Sequence, residues 1–244
     1  MFMQNRFFKW IFLLCLLASS ALYAKKQFVP IVVDDIIVMV SYTKTIPKPV
    51  GYTGKPKKTG QTKSYDANGY LVIDGSSKDD GFYQKGTTPS YTRNDVTEIV
   101  TDHVTGLEWQ DDDVGVFGVR KPWLTQTNYD KCVGRPGQIH DTTKCTDTSG
   151  DTATTYCTNL TLGGFTDWRL PSIDEFIYIA DRSKLDPAVD VVYFQNVVSD
   201  RYWSPLNVVG KEGYAWFFVF SDGYVDWEHK HESYYVRCVR DGGN

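Results

Sequence analysis

The sequence predicts an α+β domain in which two helices and antiparallel sheets are stapled by disulfides. Three observations predict it. Short β-branched and aromatic runs come first, two helix patterns follow, and a series of short strands closes the chain. Four cysteines remain beyond an N-terminal apolar leader. With 16 Tyr, 13 Phe and 20 Gly, the composition favours a strand- and turn-rich globule over a helical bundle.

Residues 1–24 read as a secretory signal. Arg6 and Lys9 form the positive region, Ile11 to Ala18 the apolar run, and Ala24 the last residue before cleavage. The run is too short for a permanent anchor, so no transmembrane anchor is expected after cleavage. The mature chain is therefore expected to be secreted, periplasmic or on the cell surface, where disulfides persist. About 220 remaining residues suit one large domain.

The net charge of −4 is unevenly spread. Without Arg6 and Lys9 it becomes −6; the eight lysines of residues 25–63 outweigh Asp34 and Asp35 by six, which leaves −12 for residues 64–244. An acidic body repels nucleic acid and other polyanions. The basic arm reads as a solvated linker.

Residues 28–43 are β-branched and read as strand, interrupted by Asp34-Asp35. The segment is expected to be an edge strand of the domain; the competing reading offers it to a partner or a second copy. Residues 44–63, rich in Lys, Pro, Gly and Thr, read as linker. Asn68-Gly69 between apolar flanks predicts a hairpin turn. Asp66 and Asn68 there resemble a fragment of a calcium loop, but its closing bidentate acid is missing. No cofactor is therefore expected, with calcium the alternative reading of this loop. Asp79-Asp80-Gly81 and Asp111-Asp112-Asp113 read as acidic turn tips.

Thr97 to Trp109 reads as strand, turn and strand, with the turn at Thr105-Gly106 and Trp109 facing the core. Asp151 to Leu160 places Ala153, Cys157 and Leu160 on one helical face, with Gly163-Gly164 as the stop. Ser172-Ile-Asp-Glu175 after Pro171 is a capping box, and Phe176, Ile179 and Ala180 are the buried stripe of the helix it opens. Short strands follow at Tyr202-Trp203, Tyr214–Phe220, Gly223–Trp227 and Tyr234–Arg240, read as an antiparallel meander.

The four cysteines allow three connectivities, and sequence alone does not choose among them. Cys132 with Cys145 closes a local loop and Cys157 with Cys238 a long one; this is the favoured pairing. No Cys-x-x-Cys and no His at ligand spacing supports zinc, so no metal site is expected.

Several ordered blocks together resemble one family. They are Lys58–Thr62, Val100–Trp109, Tyr156-Cys157, Leu162–Pro171, Glu175, Tyr202–Ser204, Ala215-Trp216, Asp222-Gly223 and Tyr235–Arg240. They are similar to the DUF1566 or Lcl C-terminal domain family, over roughly residues 58–240. The resemblance implies a C-type-lectin-like fold on an exported bacterial protein. The named member is an adhesin that binds sulfated glycosaminoglycans. Two departures matter: no Gly-X-Y repeat precedes the domain, and the body is acidic. Arg120, Lys121, Lys131 and Arg135, around the Cys132–Cys145 loop, are the only basic patch considered for a polyanion. The motifs of calcium-dependent lectins are missing.

Within the family blocks, Trp168, Arg169, Leu170 and Pro171 read as architecture. Trp168 and Leu170 are expected to enter the core, and Arg169 to be buried against Asp174 or Glu175. The ligand candidates are Trp203, Tyr224, Asp226, Trp227, Glu228 and His229, because a glycan site sets aromatic rings beside acids. Alternation places Tyr224, Asp226 and Glu228 opposite Trp227 and His229. Core filling is the competing reading for the tryptophans, with Trp216 the one most expected inside. His229 and His231 read as a solvated hairpin tip.

No Gly-x-Ser-x-Gly, phosphate loop or His-Glu-x-x-His occurs. Formylglycine-generating enzymes share an Arg-Leu-Pro…Glu stretch but need free cysteines. The chain is thus expected to bind a glycan or surface polymer without catalysis and without catalytic residues. The alternative role is a subunit assembling through the 28–43 strand.

Overall fold

The computed structural model describes residues 56–113 and 118–242, together with the backbone of 24–33 and 36–45. The signal sequence before Ala24 and residues 46–55 of the expected linker lie outside the described residues. Residues 1–48 and 49–244 are separate compact units.

In the first unit, β1 (Ala24–Val33) and β2 (Ile36–Thr45) form an antiparallel two-stranded sheet. Their register runs from Val33 opposite Ile36 to Ala24 opposite Thr45. This corrects the expectation of one interrupted edge strand. Asp34-Asp35 separates two strands that pair with each other, and the described sheets of the domain do not include them.

In the second unit, the Asn68-Gly69 turn joins two very short strands, β3 (Ser64–Tyr65) and β4 (Leu71–Val72). Asp66 closes the turn: its Oδ1 accepts from the amides of Asn68 at 2.8 Å and Tyr70 at 2.9 Å. Asp79 caps α1 (Asp80–Tyr83), a helix where an acidic turn tip was expected.

A four-stranded antiparallel sheet has the order β13-β7-β6-β5. It contains β5 (Tyr91–Asn94), β6 (Ile99–Asp102), β7 (Leu107–Gln110) and the terminal β13 (Val239–Asp241). The β6–β7 turn lies at the predicted Thr105-Gly106. The Gly106 amide donates to Asp102 O at 2.7 Å, and Gly106 has a φ of 76°, which favours glycine.

A five-stranded sheet has the order β11-β10-β9-β12-β8. It is built from β8 (Arg120–Pro122), β9 (Arg201–Val208), β10 (Lys211–Val219), β11 (Tyr224–His229) and β12 (Ser233–Tyr235). β9, β10 and β11 are the expected meander. The expected last strand, Tyr234–Arg240, is two strands: β12 runs parallel to β9 at Tyr235 and Tyr202, and β13 joins the other sheet. Val236–Cys238 carries the chain between them.

Both faces of the five-stranded sheet are covered. Trp203, Ala215 and Phe217 pack in one core with Trp168, Leu170 and the four cysteines. Tyr202 and Phe218 pack in the other with Trp109, Phe176 and Ile179. Double coverage explains why Tyr214–Phe220 is almost continuously apolar rather than alternating.

Four helices are described where two were expected. Besides α1, the structure adds α2 (Gln126–Val133), capped by Thr125 and ended by Gly134. Tyr129 and Cys132, three residues apart, are its buried face. The two expected helices are α3 (Ala153–Thr158) and α4 (Ile173–Ile179). Both have reciprocal capping boxes, at Thr152/Thr155 and Ser172/Glu175. Gly163-Gly164 does not stop α3, which ends at Thr158 with Asn159 as its cap. Instead the pair turns a tight hairpin between Leu162 and Phe165, with φ of 61° and 83°.

Disulfides join Cys132 to Cys145 and Cys157 to Cys238, with Cα separations of 4.7 and 5.5 Å. The first ties the end of α2 to a 3₁₀ turn; the second ties α3 to the crossing before β13.

Residues 56–63 are docked on the body rather than linking to it. Lys58 N donates to Thr87 O at 3.0 Å, and Arg182 N to Thr59 O at 2.8 Å. Lys57 Nζ donates to the Tyr91 hydroxyl at 2.7 Å, and burial pulls its pKa down to about 8. Among the described residues, no helix is long and apolar enough to cross a membrane.

Candidate ligand-binding face

The β10–β11 ribbon presents most of the residues singled out for binding. Its register sets Tyr214 opposite His229, Ala215 opposite Glu228, Trp216 opposite Trp227, and Phe217 opposite Asp226. Strand alternation therefore puts Tyr224, Asp226 and Glu228 on one side and Trp227 and His229 on the other.

On the first side Tyr224 is 53 % exposed. Its hydroxyl donates to Asp226 Oδ2 at 2.9 Å, and this bond raises the tyrosine pKa. Asp226 Oδ1 accepts from the Trp227 amide at 2.8 Å, and Glu228 Oε1 from the His229 amide at 2.9 Å. Each carboxylate thus has one oxygen held by the strand. A ring beside oriented acids is the arrangement that meets sugar C–H faces and hydroxyls together.

On the second side Trp227 is half-buried. Lys211 Nζ sits 3.5 Å from its ring centre, and Tyr214 meets it edge-on at 5.0 Å. His229 is held at both nitrogens: Nδ1 is 2.7 Å from the Tyr129 hydroxyl and Nε2 is 3.0 Å from the Tyr214 hydroxyl. A neutral imidazole has one N–H and one lone pair, so one tyrosine accepts and the other donates. His231 lies against Tyr129, with ring centres 4.2 Å apart, and its Nδ1 is buried without a partner. Burial lowers the His231 pKa below its ordinary value. The two histidines are thus packed among tyrosines, not spread on a solvated tip. Among the described residues, no group of three His, Cys, Asp or Glu side chains is placed to hold a metal.

Trp203 does not join this face. It is fully buried in the core, with Nε1 donating to Lys121 O at 3.0 Å. Trp216, expected in the core, is the half-buried one, and it pairs with the half-buried Trp227 of the edge strand β11. Sequence periodicity could not separate them: the sheet is covered on both faces, so either alternation phase is apolar.

Trp168, Leu170 and Pro171 are buried, as architecture requires. Arg169 makes a bidentate pair with Glu175, at 2.7 and 2.8 Å, and reaches Asp241 at 2.9 Å. Glu175 is its partner, not Asp174, and its side chain stays 42 % exposed, not buried.

The basic patch is mostly neutralised. Arg120 pairs with Asp200 at 2.6 Å, Lys121 with Asp151 at 2.6 Å and Arg135 with Asp130 at 3.3 Å. Asp111, read as a turn tip, is instead a buried acceptor for Arg93 and Arg237. Lys230 was also missed. It is buried, donating to Cys145 O at 2.6 Å and Asn207 Oδ1 at 2.5 Å, over the Trp123 ring at 4.4 Å. Burial lowers its pKa to about 8. A lone lysine in a hairpin gives no periodic signal of burial.

No curated protein and no solved structure matches the chain significantly. A family profile does, that of the Lcl C-terminal domain, over residues 98–240. That span covers more than half of the chain and takes in every described strand of the two large sheets except β5 and the last residue of β13. The chain belongs to the Lcl C-terminal domain family.

Proposed function

We propose that this chain is an exported bacterial surface or envelope domain of C-type-lectin-like fold that binds a glycan or surface polymer without catalysis. The observation that carries the reading is the exposed Tyr224 ring joined to Asp226 on β11, with Glu228 on the same side. Two disulfides support export to an oxidising compartment. The acidic body and paired basic residues favour a neutral or cationic polymer over a sulfated one.

The test is a glycan-array screen of residues 25–244, with calcium and with chelator. Selective binding that disappears in Asp226→Ala and Tyr224→Ala supports the reading. Absence of binding to every glycan in both conditions removes it.

A second reading is favoured by the β1–β2 hairpin: a subunit that assembles through its N-terminal strands. An isolated two-stranded sheet is marginal in water and has two open edges. Deleting residues 25–48, which leaves the docked residues 56–63 in place, should then abolish assembly while leaving ligand binding intact.

A further inference from the structure

Two cavities meet at Arg182. One, of about 310 Å³, lies between residues 56–59 of the docked segment and residues 177–182 at the end of α4. The other, of about 480 Å³, is lined by Gln61, Lys63, Tyr65 and Ser183. Arg182 lines both, with Lys58 beside it in the first and Lys63 in the second. Backbone bonds fix the walls: the Arg182 amide donates to Thr59 O at 2.8 Å, and the Thr87 amide to Pro56 O at 2.8 Å. The cleft is therefore formed before a ligand enters it.

Arg182 differs from the other arginines. Of the eight described, six pair with carboxylates, and Arg201 lies over the Phe217 and Tyr234 rings. The Arg182 side chain does neither. Among the described residues its one hydrogen bond is long, from Nη2 to Gly223 O at 3.4 Å. No described carboxylate pairs with Lys58 or Lys63 either. The acids nearby are engaged elsewhere. Asp79 accepts from the Tyr65 and Phe82 amides, Asp80 from the Thr59 hydroxyl, and Asp181 from the Ser183 amide and hydroxyl. An otherwise acidic body thus leaves three cations without partners along one cleft.

A guanidinium offers a planar fork of donors, and an ammonium is a point charge; both suit phosphate oxygens. A carboxylate or a sulfate ester brings one negative charge to three cations. A phosphate monoester brings about −1.5 to −2 at neutral pH, with three acceptor oxygens. Tyr65 adds an exposed ring, and Gln61 an amide, for the group that carries the phosphate. Neither Tyr224 nor Asp226 lines either cavity, so the cleft is distinct from the candidate glycan face.

We infer that the Arg182 cleft binds a phosphate monoester, with Arg182 as the fork and Lys58 and Lys63 as flanking charges. The phosphate can be borne by a sugar or by a lipid headgroup.

The experiment is calorimetric titration of the chain from Lys25 onward with glucose 6-phosphate, glucose 6-sulfate and glucuronate. Co-sedimentation with phosphatidylcholine vesicles, with and without phosphatidic acid, runs beside it. The phosphate ester should bind saturably, about tenfold tighter than the sulfate ester or the carboxylate. Arg182→Gln should weaken binding about tenfold, and Lys58→Gln and Lys63→Gln about threefold each. Tyr224→Ala should leave it unchanged. Binding of the sugar ester assigns the phosphate to a glycan, and binding to phosphatidic acid vesicles alone assigns it to a lipid; both support the site when Arg182→Gln removes them. Absence of saturable binding to either source overturns the inference. So does a sulfate ester or carboxylate bound as tightly as the phosphate, or full binding in Arg182→Gln.

Discussion

Arg237 Nη1 lies 3.1 Å from Asp111 Oδ1, with both side chains fully buried. Arg93 Nε approaches the other carboxylate oxygen at 3.0 Å, and the amides of Gln195 and Asn196 donate to the same group at 2.9 and 3.3 Å. Arg237 also donates to Gln110 O and Asn196 O, each at 2.6 Å. One carboxylate thus joins the end of β7, the loop before β9 and the crossing between the two large sheets.

Asp111→Asn leaves two guanidinium groups around a neutral amide. Breaking a buried pair by removing one partner costs about 3–5 kcal/mol. Urea denaturation should show a loss of that size. A loss below about 1 kcal/mol would show that the two arginines find other partners.

The two tryptophans read together from the sequence should separate by experiment. Trp203→Ala empties a core site and should cost about 3–5 kcal/mol. Trp227→Ala, half-buried under Lys211, should cost about 1 kcal/mol. Thermal melts of both variants check this; equal losses would place Trp227 in the core as well.

The disulfides close loops of very different length, with sequence separations of 81 and 13. Chain-entropy reasoning assigns about 4.5 kcal/mol to Cys157–Cys238 and about 3 kcal/mol to Cys132–Cys145. Paired Cys→Ser variants, compared by denaturant titration, should rank in that order. The reverse order would mean that the local loop, clamped by Lys230 on Cys145 O, carries more native-state structure than loop closure counts.

Lys57 and Lys230 both have pKa values lowered to about 8 by burial, against 10.5 for the free side chain. Between these values the unfolded chain binds more protons than the folded one, so stability rises with pH. The increment is complete above 10.5 and is lost as pH falls through 8. Folding free energy should therefore increase from pH 8 towards 10, before tyrosines ionise. Lys230→Met and Lys57→Met should each flatten part of that rise. An unchanged slope in both variants would contradict the burial of these ammonium groups.

The sequence by itself determined the local elements. The Ser172/Glu175 capping box, the Asn68-Gly69 and Thr105-Gly106 turns and the β9–β11 meander depend on neighbours a few residues apart, so short-range chemistry suffices. The alternation that separates Tyr224, Asp226 and Glu228 from Trp227 and His229 is legible for the same reason. Tertiary structure decided what periodicity leaves open. Trp203 is core and Trp216 is half-buried, and an apolar run on a sheet covered on both sides carries no period that tells them apart. Tyr234–Arg240 divides between two sheets because Arg237 and Cys238 are captured at the crossing, by Asp111 and Cys157. On the second face of the candidate site Tyr214 reaches His229 across the β10–β11 ribbon, but Tyr129 holds it from 100 positions away. A contact of that range forms only when the chain closes on itself, and no local pattern encodes it.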